Sequence, residues 1–337
     1  YDRSGLWSAL YDVDVLSGNA VLERDYISDS PVWVSSISYC FDTKKALIHL
    51  DYVVPDGSVN GVTIGRELLY GGSLDKELGK YHRFPVKPSR MQLLRKYLEE
   101  AEKECTWVEK FRKKAGWVVD GGKHKFVLYG RNGILIKPEA GELERMYSGL
   151  RQSGEREKQL EAIFETLRRN PLVSVLIAAA VATPLLERIG GESCVVDIHS
   201  LSSAGKTVSA ACAISLYGNP EKLIIRWDGT PKGIEEKFNF CDGIPCHLDE
   251  ATSVRDKRHI TEIVYDAANG VGRERAKAGG GSINTGSWNT IVFSTSESSL
   301  QQLIGLAISG LDARIFPVEG HILRGYSASE VEGLSAT

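Results

Sequence analysis

The stretch Asp197–Gly218, DIHSLSSAGKTVSAACAISLYG, decides how the rest of the chain is read. Its centre, Ala204-Gly205-Lys206-Thr207, is the ending of a phosphate-binding loop, G-x-x-x-x-G-K-[ST], but Ser200 stands where the pattern begins with glycine. Such a loop should follow a buried strand and open a helix, because the strand holds the loop while the helix N-terminus points its amides at the anion. Here the apolar Val195-Val196-Asp197-Ile198 precedes the loop and a helical run from Val208 to Leu216 follows it. Ser202, Ser203, Ala204 and Gly205 are small enough for backbone N–H groups to approach a phosphate. Lys206 would reach the β- and γ-phosphates, and Thr207 would place its hydroxyl on Mg²⁺. Val208, opening the helix, completes the nucleotide-binding set. Ser200 is small and is tolerated there if its φ is negative. The competing reading is a chance GKT on an ordinary turn.

Working outward, Ile244–Glu250 (IPCHLDE) is a mostly apolar strand ending in two acids, the Walker B pattern. Asp249 would hold Mg²⁺ and Glu250 would act as general base on the attacking water. The next strand, Ile291–Glu297 (IVFSTSE), ends in polar residues. Thr295 is the first choice for a polar sensor of the lytic water, with Ser294 and Glu297 close behind. Alternatively this polar end is a plain helix cap at Ser296. Arg314, in GLDARIFPV, would begin the last strand. It is read either as a finger reaching a neighbouring subunit's γ-phosphate in trans or as a surface ion pair with Asp312.

The 337 residues allow two domains. A hydrophobic share of 42% and a charged share of 25% suit a globular protein with a sizeable core. The net charge of −3 excludes nucleic-acid binding over the whole surface and leaves only a local patch or an assembly. Six cysteines without framework spacing fit a reducing cytoplasm. The N-terminus lacks the pattern of a signal peptide. The apolar run Pro171–Leu186 is shorter than a membrane span and contains Pro184, so a buried Ala-rich helix is expected and no membrane.

Residues 1–148 read as a smaller α+β accessory domain: hairpins around Ser17-Gly18-Asn19 and Asp120-Gly121-Gly122, more strands over 31–54, and a helix opened by Ser89. From 149 to 337 helices alternate with short apolar strands, which predicts an α/β fold with a mostly parallel sheet. His199 and His247 read as packed core histidines, and Trp107 and Trp117 as core or domain-contact residues. Cys241 and Cys246 have no second pair to make a zinc site.

Several segments together resemble one family. They are Gly116-Trp117, NPLVSVLIAAAVATPLL, SLSSAGKT, SLYGNP, RWDGT, HLDE, VYDAANGVGRERA, WNTIVFSTSE and DARIFPVEG. The resemblance is to a bacterial and phage P-loop family of unknown function, found in helicase–primase-like proteins of mobile elements. That family has glycine where Ser200 stands. Some relatives, the self-loading helicases of staphylococcal cassette chromosomes, are similar to minichromosome-maintenance helicases, which are AAA+ rings. The resemblance implies an AAA+-like fold, a homo-oligomeric ring, a hexamer, and ATP hydrolysis coupled to DNA translocation. It implies finger chemistry for Arg314. It also implies a DNA-gripping pore hairpin over Asn269–Asn289, carrying Arg273, Arg275 and Lys277. Six copies of such a hairpin would make a basic channel from an acidic subunit; a solvated charged loop is the alternative. AAA+ modules usually carry a C-terminal lid, and at most one helix follows Arg314, so a longer parent protein is expected. A P-loop ATPase switch in defence or protein remodelling is the runner-up.

Overall fold

Residues that alternate in burial build the first half of the chain, and continuous apolar runs build the second. The computed structural model describes residues 6–13, 20–71, 73–81, 83–201, 205–272, 275–276, 282–283, 286–305 and 312–320. The chain divides into two compact units, Tyr1–Arg112 with Gly133–Leu135, and Lys113–Asn132 with Ile136–Thr337. This division differs from the expected boundary at residue 148, because the second hairpin and the helix after it fold with the second unit.

In the first unit, β1 (Leu6–Val13) and β2 (Ala20–Ser28) pair antiparallel, while the expected turn at Ser17-Gly18-Asn19 lies outside the described residues. β3 (Val32–Cys40), β4 (Lys45–Val53) and β5 (Val59–Gly65) form an antiparallel meander. Two short helices, α1 (Glu67–Tyr70) and α2 (Leu74–Leu78), lead to α3 (Met91–Glu104), which buries Leu94 and Leu98. Ser89 does not cap α3: Pro88 fixes its own φ and starts a 3₁₀ turn, Pro88–Arg90, that absorbs the serine. β6 (Val108–Arg112) runs parallel to β3. Trp107, just before it, is 70% exposed rather than a core residue.

β7 (Gly116–Asp120) and β8 (Lys123–Val127) make the second hairpin. Gly121 and Gly122 both take positive φ, +57° and +76°, as its two-residue turn requires. β9 (Ile134–Ile136) closes the first sheet in the order β5-β4-β3-β6-β9. Trp117 is held in the second unit by an indole N–H donated to Pro184 O at 2.6 Å.

The second unit continues through α4 (Glu142–Gly149) and α5 (Arg156–Arg169) to α6 (Pro171–Ala182). Asn170 caps α6, its Oδ1 accepting from the amides of Leu172 and Val173. A 3₁₀ turn carrying Pro184 joins α6 to α7 (Leu186–Ile189), so helix extends from Pro171 to Ile189. By length and composition this is enough to cross a membrane. Only one face is buried, through Val173, Leu176, Ile177 and Ala180. Val175, Val181, Leu185 and Ile189 are exposed, so the expected buried helix is half realised.

The remaining elements are β10 (Cys194–His199), α8 (Lys206–Ile214), α9 (Pro220–Leu223), β11 (Ile224–Arg226), α10 (Pro231–Phe240), β12 (Cys246–Asp249) and α11 (Lys257–Asn269). Then follow the two-residue strands β13 (Arg275–Ala276) and β14 (Ser282–Ile283), β15 (Ile291–Ser296), α12 (Leu300–Ile304) and β16 (Ile315–Glu319). β10, β11, β12, β15 and β16 form one parallel sheet in the order β11-β12-β15-β10-β16. β15 is buried along its whole length, as a central parallel strand must be.

The connection after β10 runs to the edge strand β11, whereas the one after β15 runs the opposite way to β16. Right-handed crossovers then place α8 on one face and α10, α11 and α12 on the other. The packing agrees: α8 lies with α6 and α9, and α11 with α10 and α12. A switch point therefore opens between the C-terminal ends of β10 and β15, where ligands bind in open α/β sheets.

Candidate active site

The loop after β10 leaves the sheet at this switch point. Gly205 precedes α8 with φ +81°, a left-handed conformation that glycine adopts without strain. Ser200 is absent from the described non-glycine residues with positive φ, so serine at the first loop position costs no backbone strain. Lys206 is 8% exposed, and its ammonium donates to Ser200 O at 2.8 Å and Leu201 O at 3.1 Å. The charge is thus held against carbonyl oxygens alone, an arrangement that an incoming anion would improve.

Asp249 ends β12. Its Oδ1 accepts from the Thr207 hydroxyl at 3.1 Å and from the Thr295 hydroxyl at 2.6 Å. Thr207 lies in the first turn of the helix after β10, and Thr295 lies near the end of β15, which separates β10 from β12. Three adjacent strands therefore deliver their ends to one carboxylate oxygen. Thr295 Oγ1 also accepts from the Glu250 amide at 3.4 Å and lies 3.4 Å from His247 Nε2. Glu250 is exposed and takes φ +63°, which turns it out of the strand direction.

His247 is fully buried, and burial pushes its imidazole down to about 4, so the ring is neutral at neutral pH. Its Nδ1 has no partner. The tautomer with the proton on Nε2, donating to Thr295, satisfies the most atoms. His247 is thus a packed core histidine, as expected, and also an orienting contact for Thr295. Asp197, also fully buried, accepts from the Leu300 amide at 2.9 Å through Oδ2 and faces His199 Nδ1 at 3.3 Å. Its Oδ1 has no partner, and burial pushes the carboxyl up to about 6, against the pull of Leu300 and His199.

Among the sensor candidates, Thr295 touches Asp249, Ser294 accepts the indole N–H of buried Trp227 at 3.3 Å, and the Glu297 amide donates to Thr252. The helix cap belongs to Ser299, which forms a capping box with Gln302 on α12, rather than to Ser296. Arg314 lies in a short turn, Asp312–Arg314, just before β16. The pairing of Val195 with Ile315 puts it at the end of the sheet opposite the loop, more than about 13 Å away by strand rise. Its guanidinium donates to Asn269 Oδ1 and pairs with Glu192 at 3.5 Å.

Ser202, Ser203, Ala204, Arg273 and Lys277 lie outside the described residues. Arg275 is placed by its backbone, paired with Ile283 where β13 and β14 run antiparallel between α11 and β15. The base of this pair is closed by Gly272 N–H to Gly286 O and Trp288 N–H to Gly270 O, both 2.8 Å. Cys241 and Cys246 are buried neighbours, and their mutual hydrogen bond, together with burial, raises the Cys241 thiol. No cluster of metal-ligating side chains occurs among the described residues.

The profile of a domain of unknown function, DUF927, matches residues 2–287. The chain belongs to the DUF927 family. No curated protein matches it. A solved structure described as SCCmec type IV Cch, an active helicase, aligns with this DUF927 chain at a TM-score of 0.61 and 16% identity. The alignment covers 97% of this chain and 61% of that one, so the two share a fold and this chain spans about three-fifths of the other's length. The apo C-terminal region of NrS-1 aligns at a TM-score of 0.34 and 10% identity, over 91% of this chain and 63% of that one.

Proposed function

We propose that this chain is an AAA+-like P-loop module that hydrolyses ATP with Mg²⁺ and couples hydrolysis to movement on DNA, as part of a mobile-element helicase. Support comes first from the convergence of Thr207 and Thr295 on Asp249 at the switch point. A hydroxyl and a carboxylate side by side suit Mg²⁺, a hard cation that takes few protein oxygens and keeps several waters. Thr207 and Asp249 would hold that ion, which would neutralise charge on the phosphates. Gly205, Lys206 and Val208, with Ser202, Ser203 and Ala204, would cradle the phosphates through loop amides and the ammonium.

Glu250 is the general base in this reading, and Thr295 fixes both acids relative to each other. Arg314 is too far from its own loop to serve it, so a catalytic role is possible only on a neighbouring copy in a ring. Arg273, Arg275 and Lys277, on or beside the β13–β14 hairpin, would grip the DNA backbone. DNA coupling draws on the shared fold of the helicase structure and on that hairpin's position.

The test is steady-state ATP hydrolysis with and without single-stranded DNA, in wild type and Glu250→Gln. Stimulation by DNA that disappears in the variant supports the motor. Turnover indifferent to DNA moves the reading to a P-loop ATPase switch, and turnover unaffected by Glu250→Gln removes the acid from its role.

A further inference from the structure

A groove of about 570 Å³ runs along the side of α8, beginning at Thr207, the same residue whose hydroxyl bonds Asp249. Its floor is the small-residue face Val208 and Ala211, continuing to Ser215. From Thr207 to Ser215 the helical rise is about 12 Å, room for a ribose and a heterocycle laid in line. The volume lies within the usual range for small-molecule sites. We infer that this groove holds the nucleoside end of a nucleoside triphosphate, with the base against Val208 and Ala211. The inference rests on the phosphate-loop reading above and adds to it the place of the base.

Two features make this a built site rather than a surface dent. First, its walls are fixed. Tyr129 donates its hydroxyl to Tyr217 O at 2.8 Å, and the Asn219 amide donates to Gly149 O at 2.9 Å. Gly218 takes φ +156°, and a Cβ there would lie 2.1 Å from Gly149 O, so the loop after α8 and the end of α4 are clasped without side-chain bulk. Arg145 ties α4 further to the carbonyls of Glu221 and Ile224. A wall that is already in place spends little binding energy on ordering.

Second, the groove's rim has the chemistry of base recognition. Arg151, Gln152 and Ser153, in the connection from α4 to α5, are exposed over the mouth. The Ser153 hydroxyl both donates and accepts, which suits the edge of a base. Val208, Ala211 and Tyr129 supply the apolar and aromatic surface on which a heterocycle rests.

Binding of ATP and of inorganic tripolyphosphate to the full chain with Mg²⁺, measured by titration calorimetry, tests this. Wild type should bind ATP at least tenfold more tightly than tripolyphosphate. Ala211→Phe fills the floor and should weaken ATP at least tenfold while leaving tripolyphosphate unchanged. Ser153→Trp blocks the mouth from an exposed position, so it retains the fold even if Ala211→Phe does not, and should have the same selective effect. Equal affinity for the two probes in wild type, or groove variants that bind ATP normally, overturns the inference while leaving the phosphate loop standing. If neither probe binds, or if Lys206→Ala leaves tripolyphosphate affinity intact, the phosphate-loop reading itself fails and the groove assignment falls with it.

Discussion

Thr295→Val removes one hydroxyl and keeps the shape of the side chain. In the native protein that hydroxyl donates to Asp249 Oδ1 at 2.6 Å and accepts from the Glu250 amide at 3.4 Å. A hydrogen bond to a charged group contributes about 1.5–3 kcal/mol. Each tenfold change in rate corresponds to about 1.36 kcal/mol. If the whole bond serves to hold the two acids in reacting geometry, turnover falls about 10- to 150-fold. Asp249 is only half-buried, so water can replace part of the lost bond, and fold stability should fall less, by about 1 kcal/mol. Phosphate release gives kcat, and calorimetry gives the melting temperature. Thr295→Ser, which keeps the hydroxyl, should recover most of the activity. Wild-type turnover in Thr295→Val, alongside loss of turnover in Glu250→Gln, would refute the idea that Thr295 sets the geometry of the acids.

Further expectations concern pH, packing and assembly. Asp197 ionises near 6 in the fold against an ordinary 3.8, so its contribution to stability falls as pH rises from about 4 to 6. His247 ionises near 4 in the fold against an ordinary 6.5, so its contribution is full above about 6.5 and is lost as pH falls toward 4. The two trends oppose each other. Relative to wild type, His247→Gln should therefore gain stability on acidification from 6.5 to 4, by up to about 3 kcal/mol, in melts across that range. Gly218→Ala should destabilise by about 3 kcal/mol in denaturant titrations, since its Cβ would meet Gly149 O at 2.1 Å in a left-handed backbone. Arg314→Ala should lower turnover on the order of 10³-fold if it is a finger, and mixing with a Lys206→Ala subunit that supplies an intact finger should restore part of it; no restoration would confine Arg314 to its contacts with Asn269 and Glu192.

Much of the second unit was legible because parallel strands buried on both faces are continuous apolar runs. Val195–Ile198 and Ile291–Phe293 are recognisable from composition alone. The adjacency of those strands was not, since nothing local in β15 says that it lies between β10 and β12. That insertion is what brings Thr295 onto Asp249, a contact that the order of residues along the chain does not show. The division into compact units was hidden for the same reason: the hairpin β7–β8 carries the same turn signal in whichever unit it folds. His247 was read only as a core residue because its contact with Thr295 joins positions 48 apart. The groove beside α8 had no linear signature, since its walls come from four separate segments.

Glu250 carries one more consequence. Its φ of +63° is a conformation that side-chain-bearing residues avoid, at a cost of roughly 1–2 kcal/mol, and that glycine accepts freely. Glu250→Gly should therefore make the protein harder to unfold. Mutation screened for folding alone would drift toward glycine or asparagine at this position. Glutamate at this position thus costs the fold something that glycine would not.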